Sequence, residues 1–145
     1  MTQITATTEF QFALAGFLLQ AKQNLMNAAA ELDLSSGQAF SLMLMDAHAV
    51  RSMKEYCLAY KCDSGNLTGL VDGLEEKGLV VREQDQVDRR IKVIRVLPAG
   101  AVLQQKLAAK VADFNKDLFS VLEPEEQDML ASCIQKLYKA GFQAT

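Results

Sequence analysis

The chain has 145 residues, of which 50% are hydrophobic and 23% are charged, and its formal net charge at pH 7 is −3. This length predicts one domain that can bury a core without disulfides or a structural metal. The 8 glycines, 2 prolines and 3 cysteines are too few for a disordered, collagen-like or disulfide-rich chain. No apolar run reaches the roughly 18 residues of a membrane span, and residues 1–10 lack the pattern of a signal peptide. We therefore expect a cytoplasmic protein without a membrane contact.

The negative charge is concentrated in the first third of the chain. The first 50 residues carry one lysine and four acidic residues, whereas residues 51–92 carry eight residues of each sign. Because overall charge reports on solubility more than on function, it neither excludes nor supports nucleic-acid binding.

Three helices are predicted in the first 60 residues. Apolar residues recur at helical spacing from Phe10 to Leu32, which predicts a helix of about six turns. Ser35 and Gln38 form a capping-box pattern that predicts the start of a second helix. A third, short helix is predicted from residue 52 to residue 60. A first helix of this length often extends beyond its own core towards a partner.

A fourth helix and a hairpin are predicted in the middle of the chain. Asp63 is a favourable N-cap, and Gly78 is the expected stop at the C-terminal end. Between them the apolar positions lie at helical spacing: Leu67, Leu70, Val71 and Leu74. Residues 79–83 and 91–97 are predicted to be two strands joined by a polar loop, a hairpin that must pack on the helices to be stable.

The last third of the chain is predicted to be helical. Pro98 is a good first helical residue and begins a helix that runs to about Val121, and another helix opens at residues 123–126. The order of elements predicts a mainly α (α+β) fold, a winged helix-turn-helix with long N- and C-terminal helices. We expect one domain over residues 1–145, in which residues 35–97 form the winged helix-turn-helix and residues 8–33 and 98–142 form the helical flanks.

Residues 62–90 carry a recognisable combination of motifs. Residues 70–80 read LVDGLEEKGLV, Arg82 follows, and residues 85–90 read DQVDRR. This combination resembles the MarR (multiple antibiotic resistance regulator) family, and residues 62–69 are similar to that family's recognition-helix start. The likeness covers residues 35–100 well and the flanking helices by architecture only. The resemblance implies a homodimeric transcription regulator, often a repressor that is released by a small molecule. It also implies that residues 35–97 are the DNA-binding part and that the helices of residues 8–33 and 98–142 are the dimerisation helices.

The predicted recognition helix offers three polar side chains to DNA. Ser64, Asn66 and Thr68 are expected on its first two turns, opposite the apolar stripe, where short hydrogen-bonding side chains can reach base edges in the major groove. Their alternative role is capping and solubility. Positions 69 and 73, where the family commonly has arginine, are glycines in this chain.

The predicted wing supplies the cations. Arg89 and Arg90 are expected to reach a minor groove, and Arg82 and Lys92 are expected to face phosphates. We expect Asp85 and Asp88 to orient the wing, and the resemblance implies that Asp88 pairs with one of the arginines. The alternative is a solvated hairpin whose interleaved charges neutralise one another.

The remaining candidate residues point to a binding protein without a cofactor. One histidine gives no zinc ligand set, no catalytic motif is present, and Cys57, Cys62 and Cys133 are expected to be small buried apolar side chains. Oxidation-sensing members of the resembled family place a cysteine in the first helix, and residues 10–32 contain none. By family analogy, an effector pocket lies between the dimerisation helices and the DNA-binding part, and we predict that it is lined by Phe17, Ala21, Met43, His48 and Leu103.

The sequence leaves two functions open. The first is a homodimeric regulator that binds a pseudo-palindromic operator in double-stranded DNA and responds to a small-molecule effector. The second is a winged-helix module that senses a ligand or binds a protein and has weak or no sequence-specific DNA affinity. The glycines at positions 69 and 73 and the acidic balance of the chain motivate the second function.

Overall fold

The computed structural model describes residues 7–142, which form six helices and a three-stranded antiparallel sheet. The helices are α1 (Thr8–Glu31), α2 (Ser36–Leu44), α3 (Met53–Tyr60), α4 (Ser64–Glu76), α5 (Pro98–Phe119) and α6 (Pro124–Phe142), and the strands are β1 (Arg51–Ser52), β2 (Val80–Gln84) and β3 (Lys92–Val96). The predicted mainly α winged helix-turn-helix is confirmed, and the predicted elements agree with the observed ones to within a few residues. In this part of the chain no helix is both long and apolar enough to cross a bilayer.

The sheet contains a strand that was not predicted from the sequence. Strand order is β1-β3-β2, and β1 pairs Arg51 with Ile94 and Ser52 with Val93. A strand of two residues is too short to show an alternating pattern, so its existence depends on the partner strand. Ser52 also accepts a hydrogen bond on its side chain from the backbone N–H of Glu55, while the Glu55 carboxylate accepts one from the backbone N–H of Ser52. This capping box begins α3, and the S-x-x-E pattern of residues 52–55 would have predicted it.

A polar side chain fixes the packing of α1 on α5. Asn24 is buried, and its amide donates to the backbone carbonyl of Phe114 at 3.1 Å and to the side-chain oxygen of Asn115 at 2.8 Å. Gln20, one turn earlier, donates to the Asn24 side chain. Because an unpaired buried amide is costly, these bonds favour one alignment of the two helices.

Helices α2 and α4 pack in close contact. Gly73 lies against the side chain of Gln38, and a Cβ atom at Gly73 would overlap the Gln38 amide. Gln38 is held there because it completes the predicted capping box with Ser35, which is confirmed. Buried apolar residues from helices α1 to α5, strands β2 and β3 and the adjoining loops form one core: Ala28, Ala29, Leu34, Ala39, Leu42, Met45, Tyr56, Leu67, Val71, Leu74, Leu79, Val80, Ile94, Val96 and Leu107.

Helix α6 contributes no buried residue to this core. Of its described side chains only Leu130 is partly buried, while Met129 is 67% exposed and Leu137 is 72% exposed. The N-terminal half of α1 is similar, since Phe12 is 75% exposed and Leu19 is 69% exposed. Helix α6 and the N-terminal half of α1 therefore present apolar surface that the described part of this chain does not cover.

Candidate DNA-binding surface and effector groove

Helix α4 has well-defined ends. The Asp63 carboxylate accepts a hydrogen bond from the backbone N–H of Asn66 at 2.7 Å, which confirms the predicted N-cap. At the other end Gly78 has a φ of +69°, and the backbone N–H of Leu79 donates to the carbonyl of Leu74. A residue with a side chain is strained at this φ, so the predicted stop at Gly78 is confirmed with its physical cause.

The outward face of α4 is different from the predicted one. Leu67, Val71 and Leu74 are buried, and at 3.6 residues per turn the opposite face is centred on Gly65, Gly69, Asp72 and Glu76. Ser64, Asn66 and Thr68 are all exposed, but they flank this face and do not form its centre. This corrects the expectation that they lie directly opposite the apolar stripe. A Cβ atom at Gly69 would meet no heavy atom within 4 Å, so the backbone is open to an approaching molecule at that point.

One of the three polar side chains is partly satisfied within the helix. The Thr68 hydroxyl donates to the backbone carbonyl of Ser64 at 2.6 Å. The side chain of Asn66 makes no hydrogen bond within residues 7–142, so both its donor and its acceptor remain available. Asn66 is therefore the best placed of the three to pair with a base edge.

Arg82 does not lie at the phosphate-facing position predicted for it. Its guanidinium, at 26% side-chain exposure, bonds to Asp72 and to the Glu75 carboxylate, with Nε and Nη2 at 2.9 and 2.7 Å from Oε2 of Glu75. The backbone N–H of Arg82 donates to the same carboxylate, which lowers the pKa of Glu75. Arg82 is thus drawn into a cluster with two acidic residues of α4 and joins β2 to the recognition helix, which corrects its assignment to the phosphates.

The tip of the wing is organised by two aspartates. Asp85 accepts hydrogen bonds on one carboxylate oxygen from the backbone N–H groups of Val87 and Asp88, both at 2.9 Å. Asp88 forms a forked pair with Arg90, in which Nε and Nη2 lie 3.1 and 3.2 Å from its two oxygens. The side-chain bond from Arg90 lowers the pKa of Asp88. These bonds stabilise one conformation of the loop. The pair with Asp88 neutralises part of the charge of Arg90.

Two cationic side chains of the wing are exposed and unpaired within the described residues. Arg89 and Lys92 are exposed, and their side chains make no hydrogen bond or ion pair within residues 7–142. Arg95, on the same hairpin, pairs with Glu83 at 2.6 Å. Of the cations predicted for the wing, Arg89 and Lys92 therefore keep their full charge available for a phosphate backbone.

A further exposed cation lies just before the recognition helix. Lys61 occupies the turn between α3 and α4 in the left-handed region, with a φ of 51°, two residues before the Asp63 cap. It was not predicted from the sequence, although its place next to a helix N-terminus was the available sign. Lys77 at the other end of α4 is engaged elsewhere, since its amino group donates to the backbone carbonyl of Asp33.

A groove of about 680 Å³ lies between helices α1 and α5 on one side and α2 and α4 on the other. Its wall combines apolar side chains of α1, α2 and α5 with Asn66 and Leu70 of α4, and Lys22 and Asn115 supply polar groups. Of the predicted pocket residues, Ala21 and Met43 line this groove. Wall residues that were not predicted from the sequence include Leu18, Met26, Phe40 and Tyr60.

The other three predicted pocket residues lie elsewhere, which corrects their assignment. Phe17 packs on Phe119 with ring centroids 6.2 Å apart. His48 is exposed in the loop after α2, where its backbone N–H donates to the Asp46 carboxylate. Leu103 packs against the core. Helical spacing alone does not tell which side of a helix faces a groove and which faces the core.

The chain is similar in sequence to known proteins. The model of the MarR family matches residues 52–92, which run from the cap of α3 to the wing. The HTH-type transcriptional regulator YfiV of Bacillus subtilis is 28% identical over 110 residues, which cover 76% of this chain and 69% of that protein. The chain spans about half the length of other curated relatives that it matches.

Solved structures share the whole architecture. The transcriptional regulator BldR from Sulfolobus solfataricus superposes with a TM-score of 0.75 at 25% identity, over 96% of this chain and 99% of that one. A mutant of MepR from S. aureus, bound to an oligodeoxyribonucleotide, superposes with a TM-score of 0.62 at 20% identity, over 90% and 96% of the two chains. Together with the recognition helix and the wing, these matches lead to one conclusion: the chain has the winged helix-turn-helix fold of these regulators, and its residues 52–92 match the model of the MarR family.

Proposed function

We propose that the protein is a dimeric DNA-binding transcription regulator, most simply a repressor, whose DNA affinity changes when a small molecule binds in the groove. The observation that carries this proposal is the open guanidinium of Arg89 at the tip of an ordered wing, next to a recognition helix with exposed polar side chains on its first turns. In this proposal the protein is not an enzyme and acts in the cytoplasm.

The DNA contacts divide between the wing and the recognition helix. Arg89 and Lys92 bind the backbone or a minor groove, and Arg90 contributes the part of its charge that Asp88 does not neutralise. Asn66 reads a base edge in the major groove, with Ser64 and Thr68 beside it. Lys61 adds a phosphate contact before the helix. MepR has the same fold and was solved with an oligodeoxyribonucleotide bound, which supports DNA binding by this chain.

Dimerisation supplies the second recognition helix. The exposed apolar side chains of α1 and α6 pack against those of a second copy of the chain. Helix α5 connects α1 to the core. A two-fold dimer presents two recognition helices to two half-sites, which is why we expect a pseudo-palindromic operator.

The effector groove connects the two parts. Because the groove is bounded both by α1 and α5 and by Asn66 and Leu70 of the recognition helix, an apolar molecule inside it contacts both parts at once. Such a ligand shifts DNA affinity only if it binds better to one arrangement of the two parts than to the other.

One observation favours the second function, a ligand-sensing or protein-binding module with weak DNA affinity. The outward face of α4 contains Asp72 and Glu76 and no cation, so it repels phosphate. Arg82 offsets part of this charge through its bond to Asp72.

A mobility-shift assay separates the two functions. The probes are the DNA immediately upstream of the protein's own gene and a random sequence of equal length, each at two salt concentrations. The proposal requires tighter binding to the upstream DNA. Equal affinity for both probes, or no shift at low salt, would favour the second function.

A further inference from the structure

Two cysteines meet at the turn between α3 and the recognition helix. The backbone N–H of Cys62 donates to the carbonyl of Cys57 at 3.2 Å, and that of Lys61 donates to Leu58. With Lys61 in the left-handed region, this is a Schellman motif, in which the residue after the left-handed one contacts the residue five positions before it. The Cys57 and Cys62 side chains are that contact pair.

The other two helices that end in the same motif carry apolar pairs at these positions. They are Ala29 with Leu34 in α1 and Leu74 with Leu79 in α4, and all four side chains are buried. In α3 both members are thiols, and both are only partly buried. The turn thus brings together two thiol side chains where packing alone requires two apolar ones.

The motif sets the spacing that a disulfide needs. A 3.2 Å bond joins the backbone nitrogen of Cys62 to the carbonyl of Cys57, so the two residues lie close together, as a disulfide with its Cα separation of about 4.4–6.8 Å requires. Burial raises the pKa of the Cys62 thiol, and the neighbouring Cys57 thiol raises it further.

Only one of the two thiols faces the groove. Cys62 lines its wall together with Tyr60 and Asn66, whereas Cys57 does not contribute to the wall. A small molecule that enters the groove therefore reaches Cys62 first.

We propose that Cys57 and Cys62 form a dithiol modification site that reacts with small-molecule disulfides and closes to an intrachain disulfide. The Cys62 thiolate attacks one sulfur of the small disulfide, forms a mixed disulfide and releases one thiolate. The Cys57 thiolate then attacks the Cys62 sulfur, forms the Cys57–Cys62 bond and releases the second thiolate. The two protons lost by the cysteines pass to the released thiolates, so two protein thiols are oxidised and one small disulfide is reduced to two thiols.

Formation of the Cys57–Cys62 disulfide affects the recognition helix. Cys62 directly precedes Asp63, the N-cap of α4, and the new bond fixes this residue to α3 and turns its sulfur away from the groove. The start of the recognition helix and the wall of the groove both change. This step rests on the proposed function, whereas the thiol chemistry does not.

The reaction is tested with bis(2-hydroxyethyl) disulfide as the probe and with Cys133→Ser as the background, which leaves Cys57 and Cys62 as the thiols. Mass spectrometry of the treated protein is expected to show the loss of two hydrogen atoms and a crosslinked pair of peptides containing residues 57 and 62. Cys57→Ser in the same background is expected to stop at the mixed disulfide on Cys62. Phenylarsine oxide, which bridges two adjacent thiols with loss of water, is expected to bind at one equivalent and not to bind tightly to either single-cysteine variant.

Stable adducts on both cysteines without an internal bond, or disulfides between chains, would overturn the dithiol site. A melting curve of each reduced variant checks that the fold persists. DNA affinity is measured on the oxidised and reduced Cys133→Ser protein, and a change of at least about fivefold is expected. The change should disappear in Cys57→Ser. An internal disulfide with unchanged DNA affinity overturns the coupling, and failure of the reduced protein to bind any DNA overturns the proposed function and leaves the dithiol site standing.

Discussion

The arginines of the hairpin carry the same charge but play different roles, because the carboxylates next to them differ. Arg82 lies between two carboxylates of α4, Arg95 pairs with Glu83, and Arg90 pairs with Asp88. Arg89 has no such partner within residues 7–142. An unpaired guanidinium neutralises a phosphate without first breaking an ion pair, so Arg89 is the residue of the wing with the largest expected effect on DNA binding.

Arg89→Ala is expected to reduce the slope of log affinity against log salt by roughly 2 units, about 0.9 for each of the two wings of a dimer. Binding should weaken on every sequence, and most on sites with A·T-rich flanks. Affinity titrations at several salt concentrations measure the slope. Arg95→Ala removes the same charge from the same hairpin at a paired site and is the matched control. An unchanged slope together with a lower melting temperature would show that Arg89 is structural.

Asn66→Ala tests base reading by the recognition helix. Because the Asn66 side chain has no partner within the described chain, its loss is expected to cost about 1–3 kcal/mol on the cognate operator and to flatten discrimination at one base pair per half-site. Thr68→Val is the control, since the Thr68 hydroxyl already bonds to Ser64. Binding to a panel of single-base operator variants provides the measurement. Equal losses on cognate and random DNA would exclude base reading by Asn66.

At the scale of elements, the cluster of Arg82, Asp72 and Glu75 joins the wing to the recognition helix. If it fixes their relative position, Arg82→Gln leaves two carboxylates of α4 without their cation. We expect a loss of about 1–2 kcal/mol in the free energy of unfolding, since the cluster is partly screened by solvent. DNA affinity should also fall, because Asp72 then faces phosphate uncompensated. Arg82→Gln combined with Asp72→Asn should restore part of the affinity, whereas no recovery would contradict this role.

The same cluster predicts a dependence of stability on pH. The pKa of Glu75 is lowered in the folded chain, first by the backbone N–H of Arg82 and also by its guanidinium. The contribution of Glu75 is therefore complete above its ordinary value of 4.5 and is lost as the pH falls through the lowered value. Denaturant unfolding between pH 6 and about pH 3 measures this loss. Glu75→Gln is expected to be less stable at neutral pH and to show a shallower decline, and parallel curves would rule out this contribution.

At the scale of the whole molecule, the uncovered helices predict an obligate homodimer. Interfaces of this kind bury more than about 2,000 Å² and resemble a core divided in two. Light scattering at micromolar concentration is expected to give the mass of a dimer. Leu137→Asp, on the apolar side of α6, should shift the protein towards monomer or aggregate, whereas Gln135→Asp, on the opposite side, should not. A monomeric mass for the unaltered chain would contradict the proposal.

The sequence by itself determined the helices, the two long strands, the caps at Ser35 and Asp63, the stop at Gly78 and the resemblance to the MarR family. These features depend on a few neighbouring residues, whose spacing and backbone preferences act locally whatever the rest of the chain does.

Only the tertiary structure decided which side of each element is covered. Strand β1 exists because β3 lies beside it, Arg82 is drawn to α4 by two carboxylates from another element, and Phe17 and Leu103 turn to a neighbouring ring and to the core instead of the groove. Asn24 shows the same limit, since its partners on α5 lie 90 and 91 residues away in the chain. Contacts between distant segments depend on the packing of whole elements, and the pattern of a single segment does not contain that information.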